Sequence, residues 1–138
     1  MPTLDAIAAD VRAWYDRYLD AFTGLAAGER NDFGALLAFF GVPLVILTED
    51  RYVALPTREA VLATAHSLID QLRQANYAGS TVHNLDVRPL NARAAVIDGV
   101  FSRHDREGNE LEHFGTTYLV ARTDTGWRFA SIVITAPS

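Results

Sequence analysis

With 138 residues, 49 % hydrophobic and 21 % charged, the chain has the size and make-up of one folded domain rather than of a disordered segment. A net charge of −5, set against 12 cationic side chains that are all arginine and nowhere clustered, excludes a nucleic-acid surface. The absence of cysteine excludes disulfides, thiolate catalysis and Cys-ligated zinc. A positive leader with an apolar run is missing and no apolar stretch approaches ~18 residues, so a cytoplasmic protein without membrane contact is expected. No repeat, low-complexity tract or linker divides the chain, and 1–138 reads as a single domain.

In chain order, Thr3 to about Leu25 carries Ile7, Val11, Trp14, Tyr15, Tyr18 and Phe22 at the period of a helix with one broad apolar face. Thr3 is placed to cap its start, and Gly24 with Gly28 stops it. Asn31-Asp32 predicts the cap of a shorter helix through Phe40, which Gly41-Val42-Pro43 breaks. Val42–Thr48 reads as a short buried strand, Glu49-Asp50 as its turn and Arg51–Leu55 as the return strand. A third helix starts at Pro56-Thr57 with Glu59 in its first turn, where the helix dipole favours an acid. Its apolar face is Val61, Leu62, Ala65, Leu68, Ile69 and Leu72, and it ends at Asn76–Gly79.

Four strands follow: Ser80–Arg88, Ala94–His104, Glu110–Thr123 and Trp127–Thr135, rich in β-branched and aromatic residues. The turns between them are Pro89-Leu90-Asn91, Asp105–Asn109 and Asp124-Thr125-Gly126. The strands exceed the usual ~5–6 residues, so the sheet must twist and coil strongly. Helices first and an antiparallel meander after them predict an α+β fold.

The aromatic-bearing first helix (Trp14, Tyr15, Tyr18), the Phe39-Phe40-Gly41-Val42-Pro43 step and the closing word Gly126-Trp127-Arg128-Phe129 carry a resemblance. The chain resembles the nuclear-transport-factor-2-like superfamily, which includes SnoaL-like polyketide cyclases, ketosteroid isomerases, scytalone dehydratase and limonene epoxide hydrolase. The resemblance implies a cystatin-like α+β barrel: a cone-shaped, curled, mainly antiparallel sheet wrapped around the three helices, with a pocket at its open end. It also implies a homodimer through the outer face of the sheet. It does not imply one reaction, since function varies widely on this fold. Ketosteroid isomerases take their base from the region matching Val42–Leu55, which here offers only the turn residues Glu49 and Asp50. The two-histidine, acid and tyrosine set of scytalone dehydratase is matched in type by His83, His113, Asp98 and Tyr15, without a motif that fixes them there. For the Asp–Arg–Asp trio of limonene epoxide hydrolase, Asp98 with Arg128 is a poor match.

Centring the sheet's three turns sets a register in which Arg88 pairs with Arg93, His83 with Asp98, Asp98 with Thr117, Ser102 with His113 and Thr117 with Ile132. One face then carries His83, Leu85, Val96, Asp98, Ser102, His113 and Thr117, and we expect this small, apolar set on the concave side. The other mixes charges with Phe101, Phe114, Tyr118 and Trp127, the make-up of an outer face that pairs with a second subunit.

On that register His83 and Asp98 meet inside the cone as candidate catalytic residues, the carboxylate orienting an imidazole that exchanges a proton near neutral pH. Trp14, Tyr15, Tyr18, Ser102, His113 and Thr117 are the candidate ligand-binding residues, with a tyrosine hydroxyl donating to a developing oxyanion. The plainer alternatives are a structural His83–Asp98 pair and tyrosines that are simply core. No spacing resembles a metal-ligand motif, and no cofactor is expected. Two functions are compatible with these residues: binding of a small, largely apolar molecule with acid–base chemistry upon it, or a non-catalytic association module.

Overall fold

A computed structural model describes residues 2–136. Helix α1 spans Leu4–Ala26, and its N-cap Thr3 accepts a hydrogen bond from the Ala6 amide at 3.1 Å. A 3-10 helix (Phe33–Ala38) leads to strands β1 (Phe40–Leu47) and β2 (Tyr52–Leu55). Helix α2 (Arg58–Gln74) begins at an N-cap Thr57 that accepts from the Ala60 amide at 3.1 Å. It is followed by β3 (Tyr77–Asn91), β4 (Ala94–Asp105), β5 (Glu110–Thr123) and β6 (Gly126–Thr135). The expected second α-helix is thus a single six-residue 3-10 segment. Asp32 makes no side-chain cap there, because Arg30 engages its carboxylate. Among the described residues no helix is long and apolar enough to cross a membrane.

The six strands form one curled, mixed sheet in the order β2-β1-β6-β5-β4-β3. All neighbours are antiparallel except β1 and β6, which run parallel. The Gly41 step is a point of close approach: a Cβ there would lie 2.8 Å from the Phe129 carbonyl oxygen of β6, so only glycine fits.

The core lies between α1 and the middle of β4, β5 and β6. Every aromatic of the α1 stripe is buried, and Phe129 on β6 is its hub, with ring centroids 4.7 Å from Trp14, 4.8 Å from Tyr18 and 4.7 Å from Tyr118. Helix α2 buries Val61, Ile69 and Leu72 over the β1–β2 end. Arg73 ties the two helices together, donating from Nε to the Leu25 carbonyl and from Nη2 to the Arg30 carbonyl, each at 2.9 Å.

The expected register holds between β4 and β5, where Asp98 faces Thr117 and Ser102 faces His113. Between β3 and β4 it slips. Arg88 lies opposite Val96 instead of Arg93, a displacement of three residues, and Asp98 faces Asp86 instead of His83. The turn occupies Ala92 and Arg93, where the Asn91 side chain accepts from the Arg93 amide at 2.7 Å. Between β5 and β6 an irregularity at Leu119/Val120 places Thr117 opposite Val133 rather than Ile132. Slips by an odd number exchange faces. In consequence Leu85, Val87 and Ile132 point inward as expected, whereas the faces of β4 and β5 are the reverse of the expectation. Phe101, Phe114, Tyr118 and Trp127 do not lie on the outer face; all four are buried toward the helices. Val96, Asp98, Ser102, His113 and Thr117 lie on the outer face.

Candidate functional site

Three phenols converge where α1 crosses β5. The Tyr15 hydroxyl donates to the Tyr118 hydroxyl at 3.3 Å, and the Tyr18 ring lies 5.8 Å from the Tyr15 ring. Spacings of three and four residues on α1 put Tyr15, Tyr18 and Phe22 on one stripe, and alternation on β5 presents Phe114 and Tyr118 to it. Burial raises the ionisation of all three phenols above the usual tyrosine range, and the nearby Arg103 charge only partly opposes this. These hydroxyls therefore stay protonated and act as hydrogen-bond donors, not as bases.

Tyr18 and Phe22 form a partition in the interior. On one side is an apolar lobe of about 90 Å³, walled by residues such as Leu36, Phe40, Leu44 and Ile132. Ile46, Thr64 and Leu68 also border an open groove of about 440 Å³ between α2 and the β1–β2 hairpin, rimmed by Arg51, Ser67 and Gln71. On the other side is a smaller, half-open lobe of about 40 Å³, mostly apolar in its lining, whose polar members are Tyr15, Tyr118, Ser80, Thr23 and Arg103. Among the described residues, the walls of both lobes and the groove include no carboxylate and no imidazole.

Arg103 is the residue that inspection of the sequence passes over. Its side chain is 14 % exposed, its guanidinium carbon lies 4.5 Å from the Phe114 ring centroid and 5.6 Å from that of Phe22, and Nη1 donates to Glu112 at 2.8 Å. The available signal was its alternation with Phe101 on β4 and its place opposite Glu112 on β5.

The remaining candidates lie elsewhere. Trp14, Tyr15 and Tyr18 are buried inside, and Trp14 packs on Phe129 and Phe39 away from both lobes. His83 and Asp98 do not pair. His83 stands in a bulge of β3 on the outer face, with Nε2 2.7 Å from the Ser102 hydroxyl. Asp98 accepts from the Thr117 hydroxyl at 2.6 Å. Ser102 is fully buried and also donates to Glu110 at 2.9 Å, and the His113 ring lies 5.3 Å from that of His83. The outer face thus holds a hydrogen-bonded His83–Ser102–Glu110 chain, while Ser102, His113 and Thr117 are remote from the tyrosines.

Comparison with known proteins places this geometry in a family. The family described as "NTF2-like protein (DUF6841)" matches residues 9–137. None of the curated proteins matches the chain. Among solved structures, a cystatin-like-fold domain of unknown function from Nostoc punctiforme is similar at 18 % identity and TM-score 0.68, over 94 % of this chain and 76 % of that one. A ketosteroid isomerase-like protein from Erwinia carotovora atroseptica is similar at 17 % identity and TM-score 0.67, over 94 % and 95 %. A putative calcium/calmodulin dependent protein kinase II association domain from Xanthomonas campestris is similar at 16 % identity and TM-score 0.66, over 92 % and 85 %. At these identities the likeness is one of fold.

Proposed function

The chain belongs to the NTF2-like family DUF6841, and from that premise we propose that it binds a small, largely apolar molecule inside the cone. The observation that carries this reading is the 440 Å³ groove lying against the apolar lobe, with Ile46, Thr64 and Leu68 lining both. The groove falls in the roughly 300–1,000 Å³ range of small-molecule sites, with an apolar floor and a few polar groups at its rim. Tyr18, on the wall of the apolar lobe, keeps its proton and supplies a donor for an oxygen of the ligand. With no carboxylate or imidazole among the described wall residues, the arrangement favours binding over proton abstraction, and the acid–base role of His83 and Asp98 gains no support from their outer-face positions.

Ala65, on the wall of the apolar lobe, offers the test. Ala65→Phe fills the lobe at a stability cost of about 1–3 kcal/mol. Titration with the neutral fluorophore 2-naphthol should give saturable binding to the native chain, and binding weakened at least about tenfold in Ala65→Phe, which a thermal melt shows to be folded. Unchanged binding by the variant removes the interior from consideration.

A second reading is favoured by the uncovered outer face of the sheet. Val96, Val100 and Val133 are half-buried there and Leu119 is 39 % exposed, on the side away from both helices. A homodimer formed through this face fits the apolar centre, and the Xanthomonas neighbour described as an association domain lends it analogy of fold. The two readings use opposite faces and exclude neither each other nor a ligand in each subunit.

A further inference from the structure

Arg103 is bound on too few sides. A guanidinium carries five N–H donors in a rigid fork, and among the described residues its only hydrogen-bond partner is Glu112. The remaining donors have no protein acceptor and are not sealed from solvent, while the guanidinium carbon lies 5.6 Å from the Phe22 ring centroid and 4.5 Å from that of Phe114. Cation–π contacts fix the position of such a group without satisfying its N–H donors. The lobe it borders measures about 40 Å³ and opens to solvent on one side, so a small polar head can seat beside the guanidinium while the rest of its molecule extends over Phe22 and Tyr18. A carboxylate is such a head. The Tyr118 hydroxyl, which accepts from Tyr15 and keeps its own proton to donate, lines the same space.

We propose that Arg103 anchors the carboxylate of a small apolar monocarboxylate, with the ligand's hydrocarbon part against Phe22 and Tyr18 and Glu112 as the internal anion that the ligand displaces. This names the class of molecule for the interior site and rests on the reading of that interior as a ligand site. The chemistry is that of a charge-assisted, forked hydrogen bond between the guanidinium and the ligand's carboxylate, in a space open to solvent on one side. Glu112 is half-exposed, so its carboxylate can turn out to solvent when another arrives, whereas Arg103 is held by the two rings. A neutral isostere of the ligand leaves the guanidinium paired with Glu112 and gains nothing from it.

The test is calorimetric titration of the full chain with benzoate, benzamide and toluene. We expect benzoate to bind about ten- to a hundredfold more tightly than benzamide, the range typical of a charge-assisted bond. Arg103→Gln should erase that preference while leaving toluene binding in place. Glu112→Gln keeps Arg103 and removes its competitor, so it should tighten benzoate several-fold and leave benzamide unchanged; this variant decides the matter if Arg103→Gln melts early. Equal affinities for benzoate and benzamide overturn the role of Arg103 and leave the interior site standing. Absence of binding by all three probes overturns the interior site and the carboxylate anchor together. Benzoate binding unchanged or weakened in Glu112→Gln overturns the displacement of Glu112.

Discussion

The two faces of β4 and β5 are built from the same strands and differ in what each must satisfy. The inner face meets α1, whose stripe of Trp14, Tyr15, Tyr18 and Phe22 leaves large, irregular gaps, and it answers with Phe101, Phe114 and Tyr118. The outer face meets no other element, and its centre is built of small and medium side chains, Ala94, Val96, Gly115, Thr117, Leu119 and Ala121, with His83 and His113 toward one end. Bulk therefore goes where a helix must be packed, and small side chains go where nothing in the chain packs. The inner face is also charged at its ends, with Arg103 and Glu112 at one and Arg122 at the other, because the strands run past the helix that covers their middle.

Removing the hub of the inner face should have the largest effect. Phe129 is fully buried among the rings of Trp14, Tyr15, Tyr18, Phe40 and Tyr118. Phe129→Ala is expected to cost about 3–5 kcal/mol, the range for aromatic-to-alanine changes in a closed core. For a chain of this size that lowers the melting temperature by roughly 10–20 °C. A calorimetric melt displaced by less than a few degrees would show that the inner face is not the one that holds the fold. The same logic makes Tyr118→Glu an unfolding substitution, not a probe of subunit contact.

How much of this could be read from the sequence depends on what each residue could signal by itself. Strand positions, the Thr3 cap, the start of the third helix at Pro56-Thr57 and the β4–β5 register rest on local chemistry, and they appear where expected. The α+β class and the cone follow from them, and the family match agrees with the resemblance carried by the first helix and the last strand. The face assignment failed for two reasons. Asn91 marked the start of the first turn and not its middle, and misplacing it shifted β3 by three residues, so His83 was brought to Asp98 when Asp86 stands there. The second reason is that a face was judged by its average composition. Charges at strand ends made the inner face look wet, although the residues between them are buried. Arg103 was hidden by the same average: it looked like one more surface charge, and only the rings of Phe22 and Phe114 show otherwise.

A smaller effect is expected at Ser102, the one fully buried polar side chain of the outer face. Its hydroxyl is shared between His83 at 2.7 Å and Glu110 at 2.9 Å, and both partners reach solvent on removal of the link. Ser102→Ala should therefore cost about 1 kcal/mol, near the net worth of a hydrogen bond and well below the cost of stranding a buried group. Denaturant titration measures it. A loss above about 3 kcal/mol would mean that His83 and Glu110 are buried in solution, and hence that something covers this face.

The smallest change in the fold, and the one that bears most on assembly, is at Leu119. It lies between Val96 on β4 and Ser131 on β6, 39 % exposed and touching no helix. Substitutions at such surface positions usually move stability by no more than about 0.5 kcal/mol, so Leu119→Arg should melt close to the native chain. If two copies meet through this face, the substitution places two like charges in a desolvated interface, and each finds no acid directly opposite on its own sheet. Light scattering should then report a dimer for the native chain and a monomer for Leu119→Arg at the same concentration. A native chain that is already monomeric, or a dimer that survives the arginine, would leave the apolar centre of the outer face without an assembly to explain it.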